Sequence, residues 1–81
     1  MNKSDFKHIH TRFIKFPHMT FLYFSKLNDN FYIIIDNKEE TKFYSLSNDF
    51  TTSMDIFVSV WYQLKFEHQI SEKTYSLLHA V

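Results

Sequence analysis

The chain contains no cysteine and no glycine, and only a single proline, Pro17, and a single arginine, Arg12. Without cysteine there is no disulfide framework and no thiolate metal site. Without glycine there is no glycine-rich cradle for phosphates and no nucleophile elbow, because both need backbone that approaches closely or turns sharply. Every turn must instead be made by Asn, Asp or Ser, the next residues to tolerate left-handed backbone. An excess of either charge is also missing: nine basic and nine acidic residues cancel. A phosphate-neutralising surplus is therefore absent, which argues against direct nucleic-acid binding, and so is the acidic surplus of a nucleic-acid mimic. Near-zero net charge favours association, with itself as a homo-oligomer or with another molecule. No apolar run approaches the roughly 20 residues of a membrane span. The stretch Met1–His10 is polar and lacks a signal-peptide core, so the expected location is the cytoplasm, away from membranes.

What is present is aromatic. Sixteen of 81 residues are Phe, Tyr or Trp, ten of them Phe. A chain of this length supports one domain, residues 1–81, and buries only about 60% or slightly more of its unfolded surface. Large rings suit such a small core because they remove the most area from water per side chain. Composition also speaks of origin. Phe, Tyr, Met, Ile, Asn and Lys total 38 residues, whereas Gly, Ala, Arg and Pro total three. The first set has AT-rich codons and the second GC-rich ones. The bias points to an AT-rich genome: a low-GC bacterium, its phage or plasmid, or an AT-rich eukaryote or virus.

Hydrophobic spacing divides the chain into six elements. From Ser4 to Phe16, Phe6, Ile9, Phe13 and Phe16 recur at helical spacing behind a possible cap at Ser4 or Asp5, and Pro17 ends the segment. The poor helix propensity of His, Thr, Phe and Ile leaves a strand as the alternative over residues 5–16. His18–Leu27 alternates as a strand, with Met19, Phe21 and Tyr23 facing one way and Leu22 and Phe24 the other. Asn28-Asp29-Asn30 is a hairpin turn signal, Phe31–Asp36 is the clearest strand, and Thr41–Ser47 is the third. Thr52 and Asp55 form a capping-box pattern ahead of a helix to about His68. Its expected core stripe is Met54, Phe57, Val58, Trp61, Leu64 and Lys65, with Trp61 central and Ile56 and Phe66 off the stripe. Ser71 can cap a last helix to Ala80, docked by Leu77, Leu78 and Val81. The expected fold is α+β: a helix, a three-stranded antiparallel meander and two helices, with the helices on one sheet face.

Chemistry-bearing patterns are sparse. His8-x-His10 is the one metal-like spacing; the two rings share a face on a strand and diverge on a helix, and no third ligand completes a set. Asp36, Glu39 and Glu40 read as a solvated turn. No catalytic, cofactor or metal residue is nominated, and the chain is expected not to be an enzyme. The strand rings Phe21, Tyr23, Phe24, Phe31, Tyr32, Phe43 and Tyr44 could stack bases, but no basic residues accompany them. Aromatic side chains left outside the core are better read as a protein interface, since Tyr and Trp dominate binding hot spots. The candidate partner-binding residues are Ile56, Tyr62 and Phe66 on the helix and Tyr23, Tyr32 and Tyr44 on the sheet.

The order of elements, with segments such as Phe31–Asp36, Thr41–Ser47 and Met54–His68, resembles small phage-encoded anti-CRISPR proteins that block Cas9. The resemblance implies a phage or mobile-element inhibitor of a host protein or nucleoprotein complex, of the CRISPR-Cas defence type. Those inhibitors carry a strongly acidic surface, whereas this chain is neutral, and no residue role carries over. The alternatives are a homodimeric nucleic-acid-binding regulator using Lys3, Lys7, Arg12 and Lys15, and a self-associating accessory protein.

Overall fold

The computed structural model describes all residues, Met1–Val81. Its frame is a five-stranded antiparallel sheet in simple sequential order: β1 (Lys7–Ile14), β2 (Thr20–Leu27), β3 (Asn30–Asp36), β4 (Thr41–Ser45) and β5 (His79–Ala80). A helix, α1 (Phe50–Tyr62), crosses one face of it, continues through a π-helical turn at Gln63–Glu67 and is followed by the single turn α2 (Glu72–Tyr75). The fold is thus α+β, with the central meander β2–β3–β4 within two residues of the expected strand limits at every end.

Two end elements differ from expectation. The segment read first as a helix is strand β1, paired with β2 from Lys7↔Lys26 to Ile14↔Thr20. Its His, Ile, Thr and Phe residues are poor helix formers that suit a pleated surface, and β2 offered an unpaired edge for them. The expected last helix is one turn, after which the chain straightens and pairs with β4 through Tyr44↔Ala80 and Ser45↔His79. Both corrections have one cause: exposed sheet edges recruit whatever chain lies nearby, because their backbone groups need partners. With no initial helix, the element order that underlay the anti-CRISPR resemblance is not that of the molecule. Of the three C-terminal apolar residues, only Leu78 docks in the core, while Leu77 and Val81 stay exposed.

Turns without glycine are solved in three ways. Asn28 in the β2–β3 hairpin takes φ 56°, the left-handed conformation expected of an Asn there. Met19 (φ 50°) ends the β1–β2 connection and His68 (φ 61°) ends the π-helical turn, two positions where glycine is the usual occupant. In the β3–β4 turn the Asn37 side chain accepts from the backbone N–H groups of Glu39 and Glu40 at 2.9 and 3.1 Å, an Asx-type closure.

The helix starts earlier than Thr52. Asp49 is the cap, its carboxylate accepting the Thr52 N–H at 2.8 Å. A carboxylate both satisfies an orphan donor and complements the positive helix end, and the bonds from Thr52 hold Asp49 below its ordinary pKa. The helix is also rotated from the expected stripe. Ser53, Ile56, Phe57 and Val60 are its buried residues. Ile56 is therefore core rather than surface, at 8% exposure, and Trp61 lies at the edge of the packing rather than its centre. Phe57 and Val60 meet Leu22, Phe24, Phe31, Ile33 and Tyr44 on the sheet. Phe24 is the hub, with Phe31, Phe50 and Phe57 all at 5.5–5.7 Å between ring centroids. Gln63 then ties the helix end to α2: its amide donates to the Thr74 hydroxyl and its carbonyl accepts the Ser71 N–H, each at 2.7 Å.

Part of the opposite sheet face, over Tyr23, Tyr32 and Phe43, is covered as well, by the N-terminus. Residues Lys3–Asp5 form a 3₁₀ turn capped by Asn2, which lays Phe6 across the sheet. The Phe6 ring meets Tyr32 edge-on at 5.1 Å and stacks on Phe43 at 5.6 Å. Lys3 pairs with Asp36 and reaches over the Tyr23 ring at 5.6 Å. Phe6 is buried and Ile34, on this face, is fully so. The sheet thus has a second, smaller apolar layer that helix packing on one face did not anticipate.

Candidate functional site

At the open end of β1, two hollows meet. On the face away from α1, Phe13, Met19 and Phe21 line a hollow of about 360 Å³ with Asp36, Asn37 and Lys38. Around the β1 edge, a cleft of about 290 Å³ is lined by Arg12, Phe13, Ile14, Lys15, Phe16, Trp61, Lys65 and His68. Phe13 borders both, so the surface is continuous. Strand alternation places it there: Phe13 sits opposite Phe21 in the β1–β2 register while Arg12 and Ile14 turn to the helix side. The Phe13 and Phe21 rings are 4.9 Å apart, and Phe21 continues to Tyr23 at 6.3 Å. Phe13, Phe16, Met19, Phe21 and Phe66 are between 41% and 65% exposed.

The helix side of this surface carries cations on rings. The Arg12 guanidinium lies over Trp61 at 4.8 Å, and Lys65 lies over Trp61 at 5.5 Å and Phe66 at 5.3 Å. Lys15 lies over Phe16 at 5.6 Å. Trp61, Tyr62 and Phe66 form a ladder, Tyr62 stacking on Phe66 at 5.7 Å. The ion pairs of the molecule are Lys3–Asp36 and Lys42–Glu40, so none of Arg12, Lys15 and Lys65 is matched by a carboxylate.

The sequence-nominated residues separate into three groups. Tyr62 and Phe66 are exposed and stack on one another. Tyr23 and Tyr32 lie on the face away from α1, half-buried beneath the N-terminal cover of Lys3 and Phe6. Ile56 and Tyr44 are in the core and are unavailable to a partner without unfolding. Burial raises the Tyr44 phenol above its ordinary pKa, and its hydrogen bond to the Tyr75 hydroxyl at 3.2 Å acts in the same direction. Phe13, Phe16 and Met19 were not nominated, and Phe21 was weighed only as a base-stacking ring. Their signal was present, since a strand reading of residues 7–14 turns Phe13 away from Arg12, but helical spacing assigned Phe13 and Phe16 to a core stripe.

The basic set read from the sequence is also redistributed. Lys3 is neutralised by Asp36, while Arg12 and Lys15 stand together with Lys65. For Asp36, burial acts to raise the pKa, but bonds from Lys3 and Thr41 outweigh it and the net shift is downward; the same bond to Asp36 raises Lys3. His8 and His10 do not share a face. A bulge at Ile9 pairs His8 with Ser25 and His10 with Phe24, on opposite sides of the sheet. His8 Nδ1 lies 2.6 Å from the Ser25 hydroxyl, which is fully buried and so cannot reach a substrate, and His10 stacks on Phe24 and Phe57. No helix is long and apolar enough to cross a membrane. Comparison with protein families, curated proteins and solved structures finds no match to this chain.

Proposed function

We propose that this protein acts by binding another protein, through the continuous surface that runs from Met19, Phe21 and Phe13 around the β1 edge to Phe16, Trp61 and Phe66. The supporting observation is that large apolar side chains gather at one corner of a molecule whose buried polar side chains all have hydrogen-bond partners. Scattered exposed apolar residues need no explanation, but a contiguous group marks an interaction site. Their composition is that of interface cores, rich in Phe, Trp, Met and Arg. With the AT-rich composition, the reading extends to a small inhibitor from a phage or mobile element that acts on a protein of a bacterial host, a defence nuclease being the class in view. The experiment is affinity capture from the lysate of a low-GC bacterium, using the intact chain and a Phe16→Asp, Phe66→Asp double variant. A defined protein retained by the first and lost with the second supports the reading; the same proteins retained by both would sink it.

A nucleic-acid-binding regulator is the second reading, favoured by the unmatched Arg12, Lys15 and Lys65 beside aromatic rings. It requires a gel shift at low salt that weakens steeply as salt is added.

A further inference from the structure

We propose that the cleft between the end of β1 and the end of α1 takes an acidic, apolar-containing extended segment of the partner protein. The inference rests on the protein-binding reading and specifies the chemistry of what is bound. Charge comes first. The cations Arg12, Lys15 and Lys65 line the cleft, and no carboxylate does. In a chain of zero formal net charge this is a local concentration of one sign, and its lysines and arginine rest on rings, with Arg12 also donating to the Thr11 carbonyl, but none has a carboxylate partner within the molecule. A partner's carboxylates would complete it.

The rings distinguish peptide from nucleic acid. Single-stranded nucleic acids bind by laying bases on open aromatic faces. Here the cleft rings Trp61 and Phe16 already carry Arg12, Lys65 and Lys15 over them. Stacking a base would displace a cation from its ring and forfeit that contact. Accepting a carboxylate leaves it in place, because the guanidinium and ammonium groups donate outward while their charge rests on the ring. The apolar lining that carries no cation is the exposed Phe13 ring and the edge of Ile14. At about 290 Å³ the cleft lies at the lower limit of pockets that enclose a free small ligand, roughly 300 Å³, which suits a bulky side chain anchored to a larger partner. The free edge of β1 beside it further favours an extended segment.

Trp61 is the only tryptophan, so its fluorescence reports on the cleft alone. The probes are blocked peptides of about ten residues in which Asp and Glu alternate with Phe and Leu, their Asn/Gln counterparts, and a single-stranded oligothymidylate of matched length. The expected result is a saturable change with the acidic peptides, reduced by added salt, and little change with the amide versions. An exposed ion pair is worth up to roughly fivefold in affinity, and reversing a charge adds repulsion, so Lys65→Glu and Lys15→Glu should each weaken binding about tenfold. Both side chains are exposed, and circular dichroism checks that each variant stays folded. Three results overturn the proposal: saturation by oligothymidylate but not by the acidic peptides, equal binding of acidic and amide peptides, or a flat titration to about 1 mM. None of these removes the protein-binding reading, which falls only on the capture experiment.

Discussion

Replacing Phe6 with alanine tests whether the N-terminus is a structural layer or a loose leader. Phe6 is 7% exposed, against Tyr32 and Phe43 on the face that α1 leaves uncovered. A buried phenylalanine removes on the order of 150 Å² from water. At about 25 cal/mol per Å² that is roughly 4 kcal/mol, an upper figure because the unfolded chain already hides part of it. Large-to-small replacement of a buried Phe costs about 3–5 kcal/mol elsewhere, and this site borders solvent and can partly relax, so about 3 kcal/mol is expected. A domain of this size has a total stability of roughly 4–12 kcal/mol, so Phe6→Ala should remain folded but near the limit. The midpoint of thermal unfolding should fall by roughly 12–24 °C. Urea and thermal unfolding followed by circular dichroism measure it, with Phe66→Ala as the control. Phe66 is 64% exposed and its loss should change stability by no more than about 0.5 kcal/mol. A Phe6→Ala effect below about 1 kcal/mol would refute the second apolar layer and reopen the face of Tyr23, Tyr32 and Phe43 as a binding platform.

Two further outcomes follow from the same geometry. Ile56→Ala should cost about 3 kcal/mol in urea unfolding, because Ile56 sits in the helix–sheet core; a near-neutral result would restore it to the surface. Between the ordinary pKa of the carboxylates, 3.8, and that of the Tyr44 phenol, 10.0, the contributions of Asp36, Asp49, Tyr44 and Lys3 to stability should all be complete. Asp36 and Asp49 are held below 3.8, so their contribution is complete above it and is lost as pH falls through their lower folded values. Tyr44 and Lys3 are held above their ordinary 10.0 and 10.5, so their contributions are complete below those values and are lost as pH rises. Urea midpoints across pH check both limbs, and Asp36→Asn should shrink the acid one; an unchanged acid limb in that variant would show that the Lys3 pair contributes nothing.

The meander was legible because its strands speak locally. Phe31–Asp36 is dense in β-branched residues, and Asn28-Asp29 marks a hairpin whose first residue indeed turns left-handed. The helix was legible in existence but not in phase. Its apolar residues surround more than half of its circumference, so periodicity could not tell Ile56 inside from Phe66 outside; contact with Phe24 and Ile33 decided that. The site was half legible. Tyr62 and Phe66 stand out as surplus rings on a helix, whereas Phe13, Met19 and Phe21 become one surface with them only when β1 folds beside β2.

By itself, the sequence determines what needs only neighbouring residues: the absence of thiols, of glycine loops and of a long apolar run, the balanced charge, the aromatic wealth and the three central strands. Tertiary structure decides what depends on distant partners. The unpaired edges of β2 and β4 draw residues 7–14 and 79–80 into strands, because buried or half-buried backbone groups must find hydrogen bonds. Phe6 becomes a lid because Tyr32 and Phe43 come side by side on the second face only when β3 and β4 pair, and its ring is buried against both. And Arg12, Lys15 and Lys65, ordinary cations in the chain, become one unmatched cluster because a strand and a helix end at the same corner.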